Sequence, residues 1–248
     1  MMTKRQTKIL GVSVCGTLHK SKNLPCQDYA GYKQNGKKIV AVVSDGAGSA
    51  KYGKIGAKII VETLCDLLVK SKIKNIKQDI ENAINIAREK IAFHRLNKHK
   101  SEGGLSDFSA TLVGAFYDGN QGVFFHIGDG AALAFADNDY RKFVVSEPEN
   151  GAFSCETYFY TMEDWKDCLR FTYFSEASSL VLMSDGVTGF VFDDDFAIRQ
   201  NFLVPIMQYL EGENRKTYAV EALKNTLDSE RAQRINLDDK TILWAKLK

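Results

Sequence analysis

Ser109-Ala110-Thr111-Leu112-Val113-Gly114-Ala115-Phe116-Tyr117, then Asp118-Gly119-Asn120, then Gln121-Gly122-Val123-Phe124-Phe125-His126-Ile127, then Gly128-Asp129-Gly130, then Ala131-Ala132-Leu133-Ala134-Phe135-Ala136 is the stretch that decides the fold. Three apolar runs, 109–117, 121–127 and 131–136, are separated by turn residues only. Parallel strands need a crossover of a dozen residues or more, whereas antiparallel strands can be joined by two or three. The stretch therefore predicts an antiparallel meander.

On either side of this stretch, residues 9–15 and Ile39-Val40-Ala41-Val42-Val43 suit buried strands, as do Leu180-Val181-Leu182-Met183 and Thr241-Ile242-Leu243-Trp244-Ala245. Apolar residues at three- and four-residue spacing predict helices from Ile55 to Leu68, from Ile76 to Leu96, and at about 195–210 and 215–232. Gly103-Gly104 separates the second helix from the central strands. Clustered strands and paired helices predict an α+β protein in which helix pairs cover an antiparallel sheet core. No repeat or linker divides the chain, so residues 1–248 read as a single domain.

Composition narrows the function. The 248 residues are 44% hydrophobic and 26% charged, which is globular and neither disordered nor collagenous. A net charge of +2 with scattered basic residues argues against nucleic acid as a partner. No run approaches the roughly 20 apolar residues of a membrane span. Lys4, Arg5 and Lys8 before an apolar run imitate a leader peptide, but the run ends at Thr17-Leu18-His19-Lys20 and reads better as a strand. Cys15, Cys26, Cys65, Cys155 and Cys168 form no C-x-x-C pair, which suits reduced thiols in a cytoplasm and argues against zinc.

The chemistry lies in aspartates at strand ends. Val43-Ser44-Asp45-Gly46 and Met183-Ser184-Asp185-Gly186 each close an apolar run. His126-Ile127-Gly128-Asp129-Gly130 closes a third, Asp238-Asp239 precedes the last strand, and Gln27-Asp28 lies just beyond the first. Singly, Asp-Gly is a turn signal. Together, these carboxylates at buried strand mouths would repel one another unless cations sat between them. Oxygen-only ligands suit Mg²⁺ or Mn²⁺. A competing motif, Gly48-Ser49-Ala50-Lys51-Tyr52-Gly53-Lys54-Ile55, approaches the phosphate loop of a P-loop nucleotidase, but Ile55 replaces the hydroxyl that would hold Mg²⁺.

Six motifs stand in order: Gly16-x-x-His19 with Pro25-Cys26-Gln27-Asp28; Ser44-Asp45-Gly46-Ala47-Gly48-Ser49 with Gly56-Ala57; Ser109-Ala110-Thr111-Leu112; His126 to Gly130; Ser184-Asp185-Gly186; and Asp238-Asp239-Lys240-Thr241. From about residue 9 to 246 the chain thereby resembles the metal-dependent PP2C-type serine/threonine protein phosphatases, particularly their compact bacterial branch. The resemblance implies a four-layer α-β-β-α sandwich, with two antiparallel sheets face to face and helix pairs outside. It implies two Mn²⁺ or Mg²⁺ ions and direct hydrolysis of phosphoserine or phosphothreonine by a metal-bridging hydroxide. Carried over by position, Asp45 bridges both ions, Gly46 offers its carbonyl, Asp185 and Asp238 hold one ion, Asp28 acts through water, and Asp129 helps hold a third, weaker ion. Asp45, Asp185 and Asp238 are the implied catalytic set. Implied partners are a phosphoprotein substrate and a cognate kinase, in cytoplasmic signalling.

Four positions depart from the pattern. Asn23 stands where family members often carry a phosphate-gripping Arg, leaving His19, Lys20 or Lys22 to substitute, with His19 and Lys22 the phosphate-binding candidates. Ala47 replaces a candidate general acid, Gln27 a metal-binding Glu, and Gly189 an Asp of the third ion site. The missing Arg and the neutral Gln27 keep open an alternative, a phosphatase-fold regulatory module with weak turnover. Other residues read as structural: His126 as a hydrogen-bonded core histidine, His94 and His99 as solvated, Asp193-Asp194-Asp195 as a helix cap, and Tyr158, Phe159, Tyr160 and Trp165 as core packing.

Overall fold

The computed structural model describes residues 7–99, 104–149, 157–193 and 197–247. Ten strands form two five-stranded sheets. They are β1 (Lys8–Val14), β2 (Tyr29–Asn35), β3 (Lys38–Ser44), β4 (Leu112–Tyr117), β5 (Gln121–Ile127), β6 (Ala131–Ala136), β7 (Phe143–Ser146), β8 (Arg170–Ser175), β9 (Ala177–Met183) and β10 (Lys240–Lys246). One sheet has the order β1-β10-β9-β6-β7 and the other β2-β3-β4-β5-β8. Every described pairing is antiparallel. The helices are α1 (Thr17–Ser21), α2 (Gly53–Leu68), α3 (Ile76–His94), α4 (Asp185–Val191), α5 (Gln200–Gly212), α6 (Lys216–Leu227) and α7 (Glu230–Ile235).

The period-two geometry of a strand explains why the central strands read as unbroken apolar runs. Val40 and Val42 of β3 pack under α2 and α3, while Ile39, Ala41 and Val43 face the opposite sheet. In β10, Ile242 and Trp244 pack under α5 and α6, while Leu243 and Ala245 face inward. Both faces of each sheet are covered, giving the four-layer α-β-β-α sandwich. Several small residues line the inner layer, among them Ala41, Ala115, Ala132, Ala134 and Ala245, and their size allows close approach of the sheets.

The meander expectation holds for β4 and β5 but fails at the next turn. Strand β6 pairs with β9 and β7, not with β5. Gly128, at φ +109°, takes a conformation that favours glycine, and there the chain leaves one sheet for the other. Asp129 is thus carried on a crossing between sheets. Strands β2, β7 and β8 carry no strong alternation and were not expected; all three have half-exposed or exposed residues along their length. The helix expected at 215–232 splits at Ser229, whose hydroxyl accepts the Ala232 N–H and caps α7.

The remote alternative of a P-loop nucleotidase, already weakened by Ile55, finds no support in the fold. Strand β3 lies between antiparallel neighbours, not in a parallel sheet. The loop folds back so tightly that a side chain on Gly46 would meet the backbone of Gly53, and Tyr52 N–H is spent on the Asp107 carbonyl. Among the described residues, no helix is long and apolar enough to cross a membrane.

Gly56 in α2 lets the helix sit against the Phe108 carbonyl, whose oxygen would lie 1.9 Å from a β-carbon there. In a free helix Gly→Ala gains up to about 1 kcal/mol. Here overpacking by about 1–3 kcal/mol wins. Gly56→Ala is expected to lower the denaturant midpoint; an unchanged or raised midpoint contradicts this packing.

Candidate active site

Antiparallel order brings the candidate aspartates together. Strands β3, β5 and β9 end at one end of the sandwich, and β2, β4, β6 and β10 start there. Asp45 and Asp185 follow arriving strands; Asp28 and Asp238 precede departing ones; Asp129 lies between β5 and β6. The carboxyl groups of Asp28, Asp45 and Asp185 are within mutual hydrogen-bonding reach through Asp45. Asp129 and Asp238 are near enough to add their charge to Asp185.

Short polar side chains hold this arrangement. Ser184 Oγ donates to Asp28 Oδ2 at 2.7 Å and accepts the Thr241 N–H at 2.9 Å, linking the two sheets. Thr111 Oγ1 accepts the Asp45 N–H at 3.0 Å, and Thr111 N–H donates to the Asp45 carbonyl at 2.8 Å. With the Ala47 N–H donating to the Ser109 carbonyl at 2.9 Å, antiparallel pairing continues past the start of β4 to Gly46 and Ala110. Thr157 Oγ1 donates to Asp129 Oδ2 at 2.7 Å. Lys240, fully buried, donates through Nζ to the Asp238 carbonyl at 2.8 Å.

Burial is the first cause of the electrostatics. It pushes Asp28 up to about 6 and Asp185 up to about 7, and it raises Asp45, with neighbouring carboxylates adding to the effect. Burial also raises Asp129. Asp28 Oδ1 and Asp185 Oδ1 are buried with no hydrogen-bond partner. Orphaned carboxylate oxygens among mutually repelling carboxyls are the donor set of a hard divalent cation, and the residues fit one.

The phosphate-binding candidates differ in setting. His19 is buried in α1, with Nδ1 2.8 Å from Asp239 Oδ2. Lys22 is exposed at the end of α1, while Lys20 pairs with Asp228. Asn23 has φ +54°, a left-handed conformation that asparagine tolerates better than arginine does. Gln27 also acquires a local reason. Its carboxamide faces two carbonyl acceptors, and turned with its nitrogen toward them, the orientation that satisfies both, it donates to the Gly46 carbonyl at 3.0 Å and the Ala47 carbonyl at 3.1 Å. A glutamate there would set a carboxylate against two carbonyl oxygens. In that orientation the neutral Gln27 is a strut beneath the Gly46 carbonyl.

The structural readings also find their places. His126 is fully buried, with Nδ1 3.0 Å from Ser146 Oγ, and burial pushes its pKa down to about 3. Tyr160 and Trp165 are core residues, and Tyr160 donates its hydroxyl proton to the Gly56 carbonyl at 2.9 Å. His94 is half-buried with its ring beside Phe108, not solvated. Asp193 Oδ1 accepts the Ala197 N–H at 2.8 Å. Gly103, Cys155, Asp194 and Asp195 lie outside the described residues, as does the side chain of His99. Sequence reasoning missed Ser184, Thr111, Thr157 and Asp239; the repeated Ser before Asp-Gly and the doubled Asp238-Asp239 were the available signals.

A family profile described as protein phosphatase 2C matches residues 15–228. Serine/threonine-protein phosphatase 3 of Escherichia coli (strain K12) is 25% identical, over 96% of this chain and 99% of its own. The solved structure of the serine/threonine phosphatase Stp1 from Staphylococcus aureus superposes with a TM-score of 0.65 at 15% identity, covering 100% of this chain and 98% of that one. The catalytic domain of the serine threonine protein phosphatase PstP, solved in complex with two manganese ions, gives 0.63 at 15% identity, with 97% of each chain covered. The chain belongs to the protein phosphatase 2C family. It is a serine/threonine protein phosphatase, a phosphoric monoester hydrolase.

The pKa shifts set a pH dependence. Unfolded carboxyls ionise near about 4. Between there and about 7 the folded, metal-free chain holds more protons than the unfolded chain at Asp28, Asp45 and Asp185. That contribution to stability is therefore present at low pH and lost as pH rises through the folded values. In chelator, the melting midpoint is expected to fall from about pH 5 to about pH 8, and to fall less in Asp185→Asn. An equal fall in both proteins contradicts the assignment.

Proposed function

We propose that Asp45, Asp185 and Asp238, with Asp28 and the Gly46 carbonyl, hold two Mn²⁺ or Mg²⁺ ions, and that Asp129 contributes to a third, weaker position. The observation that carries this is the pair of orphaned buried oxygens, Asp28 Oδ1 and Asp185 Oδ1, within one carboxyl cluster. PstP, similar in fold, was solved with two manganese ions. Bound there, divalent ions lower the pKa of water and offset charge on the phosphoryl oxygens.

The chain's own residues do the positioning. Asp45 stands between Asp28 and Asp185, where it can serve both halves of the cluster. Ser184 fixes Asp28, Thr111 fixes the Asp45 backbone, and Gln27 fixes the Gly46 carbonyl while leaving one lone pair. His19 has Nδ1 committed to Asp239, so Nε2 is the nitrogen left for a phosphate oxygen. Lys22 adds a point charge from the same turn, in place of the bidentate fork of an arginine. Most of the catalysis is then positioning and electrostatic stabilisation in a site built before the substrate arrives.

The substrate is a phosphoserine or phosphothreonine protein, and the role is cytoplasmic signalling opposite a cognate kinase. Cys15, Cys26, Cys65 and Cys168 are all free thiols, which supports a reducing compartment. Hydrolysis of p-nitrophenyl phosphate and of a phosphothreonine peptide tests the reading. Turnover is expected with Mn²⁺, lost in chelator, and reduced by about 10²-fold or more in Asp185→Asn. Chelator-resistant turnover, or full activity in Asp185→Asn, overturns it.

A further inference from the structure

Asp239 is 1% exposed and stands beside the proposed ligand Asp238. Its Oδ1 accepts the Gly16 N–H at 2.7 Å. Its Oδ2 accepts the Gln27 N–H at 2.6 Å and lies 2.8 Å from His19 Nδ1. Three contacts to one buried carboxylate tie the 16–27 arm to the start of β10. Each reaches something the site uses: Gly16 opens α1, His19 is a phosphate candidate, and Gln27 both precedes Asp28 and braces the Gly46 carbonyl.

The backbone around Asp239 leaves little slack. A β-carbon on Gly16 would meet the Leu237 and Asp238 carbonyls, and one on Gly186 would meet the Asp239 carbonyl. Residues 237–239 are therefore clamped between the segment carrying Asp28 and the segment carrying Asp185. Lys240 holds the Asp238 carbonyl from below.

We infer that Asp239 is a positioning residue that fixes Asp28, the Gly46 carbonyl and His19 relative to Asp238, and that it must be a carboxylate to do so. The two backbone partners are N–H donors and they reach different oxygens. An asparagine has one acceptor oxygen, so its NH₂ group would face one of these N–H groups, donor against donor. This inference rests on the metal-site reading above, since positioning matters through what the positioned groups bind.

The test is calorimetric titration of the full chain with Mn²⁺, without substrate, for wild type, Asp239→Asn, His19→Ala and Asp185→Asn. Supporting partners of metal ligands are typically worth about 10–100-fold in affinity. Asp239→Asn is expected to weaken Mn²⁺ binding by that much, with an unchanged far-ultraviolet spectrum. His19→Ala, which removes one partner and keeps the carboxylate, is expected to weaken it several-fold, and it decides the matter if Asp239→Asn does not fold. A purely structural role would lower the melting midpoint and leave Mn²⁺ affinity unmoved in the folded variant; that result overturns the inference. If wild type binds and Asp185→Asn does not, the metal-site reading stands whatever Asp239→Asn does. If wild type binds no Mn²⁺, both fall.

Discussion

Like charges that must sit together govern this molecule. Asp28, Asp45 and Asp185 are gathered within reach of one another, with Asp129 and Asp238 close by, in a setting where burial already opposes ionisation. Left alone, such a cluster costs free energy, because each carboxylate loses water and gains a neighbour of the same sign. The chain meets that cost with a rigid frame. Ser184 joins the two sheets through Asp28, Thr111 pins the end of β3, and Lys240 supplies a buried cation beneath Asp238. The frame keeps the carboxyls from relaxing apart, and a divalent cation held there, as proposed above, would relieve their repulsion. Metal affinity and metal-free instability would then be two views of one arrangement.

Topology makes the arrangement attainable. In an antiparallel sheet, alternate strands arrive at and leave the same edge, so a residue just after one strand neighbours a residue just before another. Two such sheets, packed face to face, contribute aspartates from opposite layers. The covering helices make the frame stiff, since Val40 and Val42 face one helical layer, and Ile242 and Trp244 the other. A site set on strand ends is held more firmly than one set on free loops.

Much of this was legible in the sequence. Strands buried on both faces show as continuous apolar runs, so β3, β5, β6, β9 and β10 could be read. The aspartates stand at the ends of those runs and could be read with them. The edge strands β2, β7 and β8 could not, because exposure removes the apolar pattern that marks a strand. The switch of sheets at Gly128 was hidden for another reason. A short turn with glycine serves a hairpin and a crossing equally well, and only the pairing of β6 with β9 separates them. Gln27 and Asn23 looked like losses when compared with a family pattern. In the fold Gln27 is the donor that two carbonyls need, and Asn23 fits a left-handed turn. Asp239 was visible only as the second of two aspartates; its three partners lie more than 200 residues away in sequence.

Locating manganese by its anomalous scattering in a crystal of the full chain shows whether this carboxyl cluster holds metal. Two strong peaks are expected at the strand-end cluster, with Asp45 contributing to both and Asp185 and Asp238 among the ligands. Manganese bound only elsewhere on the surface, or a cluster that stays empty at saturating metal, would contradict it.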